Sequence, residues 1–231
     1  MKIATPLCLT ARLLLLPLVL VTLLGTSARG QTTFAQFTQD NNTEPFTFSN
    51  TSETFSGTTT GNLTFLTPGA PAGAHAATIS LSSSAITPAT TVGPFLFQPM
   101  DGATNILSFT RVGDGANLLT LTFTGTFSGF DGDFSATLSG NSATGNTVVY
   151  TSDFLDFSGT TSRTFGLTAG PDPDYSQGMN GFLNDFSTDL GGSFSGVGSI
   201  AAVPEPSTWA AGVLVAGAIA VVAFRRRKVL A

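Results

Sequence analysis

The chain has 231 residues and a formal net charge of −5, and only 10% of its residues are charged. Residues 31–203 hold thirteen acidic residues against two cations, Arg111 and Arg163, which gives this stretch a net charge of −11. Nucleic-acid binding draws most of its free energy from lysine and arginine side chains that neutralise phosphates, so the composition excludes nucleic acid as an expected partner. The single cysteine, Cys8, leaves residues 31–203 without a disulfide or a cysteine metal site.

Residues 1–30 have the pattern of a secretory signal peptide. A positively charged start is followed by an apolar run, 13–24, and Ala28 and Gly30 are small residues at the two positions that a signal peptidase recognises. We therefore predict cleavage between Gly30 and Gln31. The alternative is an uncleaved membrane anchor, but the apolar run is shorter than the ~20 residues that a span usually needs. Both interpretations predict export.

Residues 31–202 are predicted to form one all-β ectodomain. From Asn117 to Phe127 leucine and phenylalanine alternate with threonine, which is typical of a half-buried strand. Shorter stretches of the same alternation occur at 46–48, 79–81, 107–109, 134–138 and 165–167. Turn-forming glycine, aspartate, asparagine and proline separate them at 113–115, 131–133, 140–141, 145–146 and 171–174. Roughly ten short strands favour an antiparallel β-sandwich or jelly roll over a parallel sheet.

The 20 phenylalanines are expected to supply the core rather than a ligand platform. Each buried ring contributes ~1.5 to 3 kcal/mol, which a domain without disulfides needs. The stretch 68–77 is rich in glycine, alanine and proline and is predicted to be a mobile loop that contains His75, the one histidine.

No residue pattern in the chain predicts catalysis. No catalytic triad can be assembled, because the only histidine, His75, lies in the predicted glycine/alanine/proline loop and the sequence has no nucleophile elbow. A phosphate-binding glycine loop is absent as well. We therefore expect no catalytic residues and no cofactor.

Six aspartates form close pairs in the sequence: Asp131 and Asp133, Asp153 and Asp156, Asp172 and Asp174. We interpret them as turn-forming and solvating residues. A calcium site and a glycosidase-like carboxylate pair stay open as alternatives. No metal ligand is assigned, because no spacing matches a calcium loop.

Residues 203–231 form a second targeting segment. Pro204, Glu205 and Pro206 precede an uncharged apolar run of 16 residues, 209–224, and the prolines prevent a continuous helix or strand before it. As a helix the run rises roughly 24 Å, a slightly short membrane span. The cationic residues that follow are expected to stay in the cytoplasm and stop the chain there. They are Arg225, Arg226, Arg227 and Lys228.

In this order the last 28 residues or so resemble the PEP-CTERM sorting signal of Gram-negative bacteria. The resemblance implies that Pro204, Glu205 and Pro206 are recognised by an exosortase, a membrane-embedded cysteine protease that cuts near this motif. A plain single-pass anchor with a proline-containing linker is the alternative.

The two targeting segments predict an exported protein, and the absence of a catalytic pattern predicts a non-enzymatic one, with a structural or biofilm-associated role in the cell envelope or extracellular matrix. We expect transient anchoring in the inner membrane before delivery to the envelope or the medium. Signal peptidase, an exosortase-like protease, the membrane and exopolysaccharide are the expected partners. A binding module for extracellular polysaccharide or calcium is the alternative function.

Overall fold

The computed structural model describes residues 30–40, 43–170 and 175–203. Several predicted features lie outside the described residues: the signal peptide before Gly30, the turn at 171–174, and the tail from Pro204 onward with its apolar run 209–224 and basic residues 225–228. Among the residues that are described, no helix is long and apolar enough to cross a membrane.

The described part of the chain is built from β-strands and one short 3₁₀ turn, Ser142–Thr144. The strands are β1 (Thr32–Gln39), β2 (Phe46–Ser49), β3 (Thr54–Phe65), β4 (Ala74–Ser84), β5 (Thr90–Val92), β6 (Phe95–Met100), β7 (Ile106–Arg111), β8 (Asn117–Phe123), β9 (Gly125–Phe130), β10 (Ala136–Asn141), β11 (Val148–Thr151), β12 (Leu155–Gly170) and β13 (Phe186–Ala202).

These strands pair antiparallel throughout and form one sheet in the order β11-β8-β7-β4-β3-β1-β13-β12-β10-β9-β6-β5. The short β2 also lies between β3 and β13, beyond the end of β1. The prediction of an all-β, antiparallel domain is confirmed. The strands are more numerous and less even than expected, because β12 and β13 run for 16 and 17 residues.

The stretch predicted as one strand from Asn117 to Phe127 is divided at Thr124. Its first part, β8, pairs with β7 and β11, whereas its second part, β9, pairs with β6 and β10. The Thr124 N–H donates to the carbonyl of Thr147, and the Thr124 hydroxyl accepts from the Thr147 N–H. Because β8 and β9 lie near opposite ends of the strand order, this bend requires the sheet to fold back on itself, which is consistent with a β-sandwich.

The folded-back sheet encloses a core of aromatic rings. Phe109 on β7 lies 5.6 Å from Phe194 on β13, and Phe123 on β8 lies 4.9 Å from Phe165 on β12, measured between ring centroids. Neither pair belongs to neighbouring strands, so these contacts cross the interior. Fifteen of the phenylalanines in the described ranges are buried, as predicted for most of them.

Two local predictions were wrong. His75 is not in a loop, because β4 begins at Ala74 and His75 pairs with Leu63 on β3. Gly140 was predicted to form a turn but lies inside β10, opposite Phe165. A Cβ atom at Gly140 would lie 2.6 Å from the Phe165 ring, so this glycine makes room for a core side chain rather than for a change of chain direction.

Candidate functional site

Four of the described phenylalanines are not buried, contrary to the prediction that the phenylalanines would serve the core. Phe95, Phe130 and Phe134 are 40%, 47% and 65% exposed, and Phe97 is half-buried. Exposed large rings gathered in one place are unusual on a soluble domain and mark candidate interaction sites. Phe95, Phe97 and Phe130 lie on adjacent strands and form the aromatic part of a groove, which we call the β6–β9 groove.

The local sequence of β6 explains why these rings face outward. Phe95 and Phe97 lie on one face of the strand, and Leu96, Gln98 and Met100 lie on the other, so both faces carry large apolar residues and the pattern does not decide which faces the core. In the structure Leu96 and Met100 are fully buried, and alternation then places the phenylalanines on the outer face. The strand beyond β6 is the three-residue β5, which ends the sheet.

Strand register brings the lining of the β6–β9 groove together. Phe95 lies opposite Phe130 with ring centroids 4.4 Å apart, and the Phe97 ring lies 6.3 Å from that of Phe95. Phe97, Ser128, Thr137 and Thr168 form one row across four adjacent strands. The cavity volume is about 420 Å³, within the usual range for ligand sites. Its lining also includes Gly129, Asp133, Ser135 and Ala136.

The lining combines apolar ring faces with hydroxyl groups. Ser128, Ser135, Thr137 and Thr168 each supply a group that can both donate and accept a hydrogen bond. Asp133 is the one charged residue in the lining, and its Oδ1 accepts from the Phe134 N–H at 2.8 Å. Such a surface suits a neutral ligand that has both an apolar face and hydroxyl groups.

A buried tyrosine supports the groove from below. Tyr175 is fully buried, and its hydroxyl donates a hydrogen bond to the Leu96 carbonyl at 3.2 Å. The backbone of Tyr175 pairs with that of Asp133. Burial raises the pKa of the Tyr175 hydroxyl, so this donor keeps its proton in the folded protein. The contact fixes β6 relative to the Asp133 turn, and therefore fixes the two sides of the groove relative to each other.

The paired aspartates act as hydrogen-bond acceptors for nearby backbone groups. Asp153 accepts from the Asn117 N–H at 2.8 Å, and Asp156 accepts from both the N–H and the hydroxyl of Ser158. These bonds from Ser158 lower the pKa of Asp156. Asp172 and Asp174 lie outside the described residues. Within the ranges 30–40, 43–170 and 175–203, no three histidine, cysteine or acidic side chains are grouped closely enough to hold a metal ion.

The predicted targeting residues are described only at the N-terminal junction. Gly30 and Gln31 are both exposed, and a Cβ atom at Gly30 would have no neighbour within 4 Å. Pro204, Glu205, Pro206 and the basic cluster 225–228 lie outside the described residues, so their roles stay predictions.

No protein-family model, curated protein or solved structure matches this chain.

Proposed function

We propose that the protein is an exported, non-enzymatic component of the bacterial envelope or extracellular matrix that an exosortase-like protease sorts through its C-terminal tail. The observation that carries the proposal is the order of three elements: the Pro204-Glu205-Pro206 triplet, the apolar run 209–224, and the basic cluster 225–228. Each has a separate physical role, as an extended protease site, a membrane span and a cytoplasmic stop.

The position of the triplet relative to the folded domain supports this proposal. The last strand, β13, ends at Ala202, and the Val203 N–H donates to the Phe154 carbonyl at 2.8 Å. In the sequence the triplet therefore begins one residue after Val203, which makes the last backbone hydrogen bond among the described residues. Cleavage at the triplet would leave the strand pairings of the described domain intact.

The charge of the domain is compatible with a place outside the cell. Residues 31–203 carry a net charge of −11 and no lysine. Such a surface repels anionic lipid headgroups and other acidic polymers, and strong net charge of one sign keeps a released domain soluble.

Substitution of the triplet tests the sorting proposal. Glu205→Ala and Pro206→Ala are expected to trap the full-length protein in the inner-membrane fraction, whereas Ser199→Ala on β13 should be processed like the parent. Immunoblots of the inner membrane, outer membrane and medium give the distribution. Normal processing of both triplet variants would contradict the proposal.

The β6–β9 groove favours a second candidate function, the binding of a neutral polysaccharide. As part of this proposal, the folded-back sheet is a β-sandwich or jelly roll. A sheet doubled in this way presents an outer face on which a long polymer can lie. The adjacent rings of Phe95 and Phe130 suit the apolar faces of sugar rings, and the row from Ser128 to Thr168 suits their hydroxyls. Asp133 and the acidic domain disfavour an anionic polymer.

Affinity electrophoresis through gels that contain neutral or acidic polysaccharides tests the second function. Retardation by a neutral polymer and not by an acidic one is expected. Equal mobility in all gels would remove the groove as a polysaccharide site and would leave the sorting proposal untouched.

A further inference from the structure

The N-terminal junction of the domain places an exposed glutamine at the predicted cleavage site. The strand ladder begins at Thr32, which pairs with Gly196 on β13, so Gln31 stands just outside the sheet. Gly30 is exposed and has free space around it. Both residues of the predicted scissile bond are therefore exposed, as cleavage by a peptidase requires.

We propose that Gln31, once cleavage has made it the N-terminal residue, cyclises to pyroglutamate. This inference rests on the export step of the proposed function, because an internal glutamine has no free α-amine. The α-amino nitrogen attacks the side-chain carbonyl carbon, Cδ, and forms the C–N bond of a five-membered lactam. The bond from Cδ to Nε2 breaks, one proton passes from the α-amine to Nε2, and ammonia leaves. No oxidant, reductant or co-reactant is required.

The structure leaves the Gln31 side chain accessible for this reaction. Its Nε2 donates a hydrogen bond to the Thr164 hydroxyl on β12, and this contact is exposed to solvent. An exposed hydrogen bond exchanges readily with water, so it does not hold the side chain away from its own amine.

Cyclisation would leave the mature domain without any primary amine. Residues 31–203 contain no lysine, and the lysine of the tail, Lys228, lies beyond the predicted cut near Pro204. The α-amine of Gln31 is therefore the single amine of the processed domain, and the lactam converts it to an amide. A domain without amines cannot be acylated at an amine nitrogen. An amide bond to an amine of the envelope could then form only through a carboxyl group of the domain, such as its new C-terminus.

The test uses the full chain, exported by its own cells and purified after processing. Intact-mass and N-terminal peptide mass spectrometry give the first residue and show whether one ammonia has been lost. Labelling with an amine-reactive ester then counts primary amines in the folded domain. Gln31→Ser is the control, because serine at the terminus keeps a free α-amine and should take up one label.

The inference predicts a chain that begins at residue 31, is lighter than the linear sequence by one ammonia, and takes up no label. A chain that begins at Gln31 with its full mass and one label would overturn the inference while leaving the export proposal intact. A chain that begins at another residue would overturn the inference and the predicted cleavage site but not export, whereas full-length protein that keeps residues 1–30 in the cytosol would overturn both.

Discussion

Phe95 and Phe130 face each other across β6 and β9 with ring centroids 4.4 Å apart, yet 40% and 47% of their surfaces are exposed. Their mutual contact shelters one side of each ring and leaves the other side in water. A ligand with a flat apolar face would cover that remaining surface, which makes this pair the strongest candidate contact in the β6–β9 groove.

Phe130→Ala should weaken binding of a neutral polysaccharide about tenfold, a loss of ~1.4 kcal/mol, because it removes one of the two facing rings. The thermal midpoint should change little, since the ring is half exposed. Phe134→Ala is the matched control: Phe134 is 65% exposed and does not line the groove. Titration calorimetry with the polymer that retards the domain gives both affinities. Equal loss of affinity in the two variants would show that the groove is not the site.

Gly192→Ala should destabilise the domain by ~1 to 3 kcal/mol, because β13 has no room for a methyl group at this position. A Cβ atom there would lie 2.5 Å from the Gly166 carbonyl oxygen and 3.1 Å from the Phe37 ring. Gly166→Ala is the control on the neighbouring strand, since a Cβ atom at Gly166 has no neighbour within 4 Å. Urea unfolding measures both free energies. If Gly192→Ala were as stable as Gly166→Ala, the pairing of β12 with β13 would be wrong at this point.

The two tyrosines should not ionise near their ordinary pKa of 10.0 while the domain is folded. Burial raises the pKa of both hydroxyls, and Tyr150 also donates to the Thr164 carbonyl. Because the pKa is higher in the folded than in the unfolded state, the buried neutral hydroxyls stabilise the fold fully below pH 10.0. This contribution to the free energy of unfolding is lost as the pH rises above 10.0.

Tyrosinate absorbance during alkaline titration measures this prediction. The signal should appear together with the loss of β-sheet circular dichroism, whereas the unfolded chain in denaturant should titrate near pH 10.0. Tyr150→Phe and Tyr175→Phe should each remove about half of the absorbance change. Ionisation near pH 10.0 with the sheet intact would contradict the buried positions of these side chains.

Asp114 should titrate at about pH 2, because its hydrogen bond to Arg111, followed by that from the Ala116 N–H, lowers the pKa of its carboxyl from 3.8 to about 2. Because the pKa of Asp114 is lower in the folded than in the unfolded state, the ionised carboxylate stabilises the fold above pH 3.8. This contribution is lost as the pH falls toward 2.

Substitution of the arginine partner isolates this effect. Arg111→Gln should raise the pKa of Asp114 toward 3.8, and Arg163→Gln should leave it unchanged, because Arg163 bonds to Thr160 and Phe157 instead. Carboxyl NMR titration is the measurement, since Arg111 also lies 4.7 Å from the Phe154 ring centroid and its loss affects stability by a second route. An unchanged Asp114 pKa in the Arg111→Gln variant would contradict the ion pair between Arg111 and Asp114.

Much of the fold follows from local pattern. Alternation from Leu119 to Phe127 predicted which side chains enter the core, and Leu119, Leu121 and Phe127 are all buried. The bend at Thr124 was not predictable in the same way, because Thr124 continues the alternation and only its pairing with Thr147 reveals the change of partner strands. Likewise, Gly140 and the asparagine that follows it indicate a turn in the sequence. In the structure a glycine is needed at 140 because the Phe165 ring on another strand leaves no room for a side chain.

The β6–β9 groove could not be predicted from the sequence for a related reason. In β6 both faces carry large apolar residues, although Gln98 shares the face of Leu96 and Met100, and the choice between Leu96 and Phe97 as the buried residue depends on what packs against the strand. Residues distant in sequence pack there, and one of them, Tyr175, donates a hydrogen bond from its hydroxyl to the Leu96 carbonyl. Two competing apolar faces on one short strand are the signal that could have suggested an exposed aromatic pair.

The central claim is that the tail directs export and proteolytic sorting, and mass spectrometry of the C-terminus of the mature protein tests it most directly. The protein is to be purified from the envelope and the medium of cells that carry or lack the exosortase. We predict that cells with the enzyme yield a domain that ends near Pro204, without the apolar run 209–224. Cells without it should yield chains that keep this run and Lys228 in the inner membrane. Intact tails in both strains, or full-length protein with residues 1–30 in the cytosol, would contradict the account.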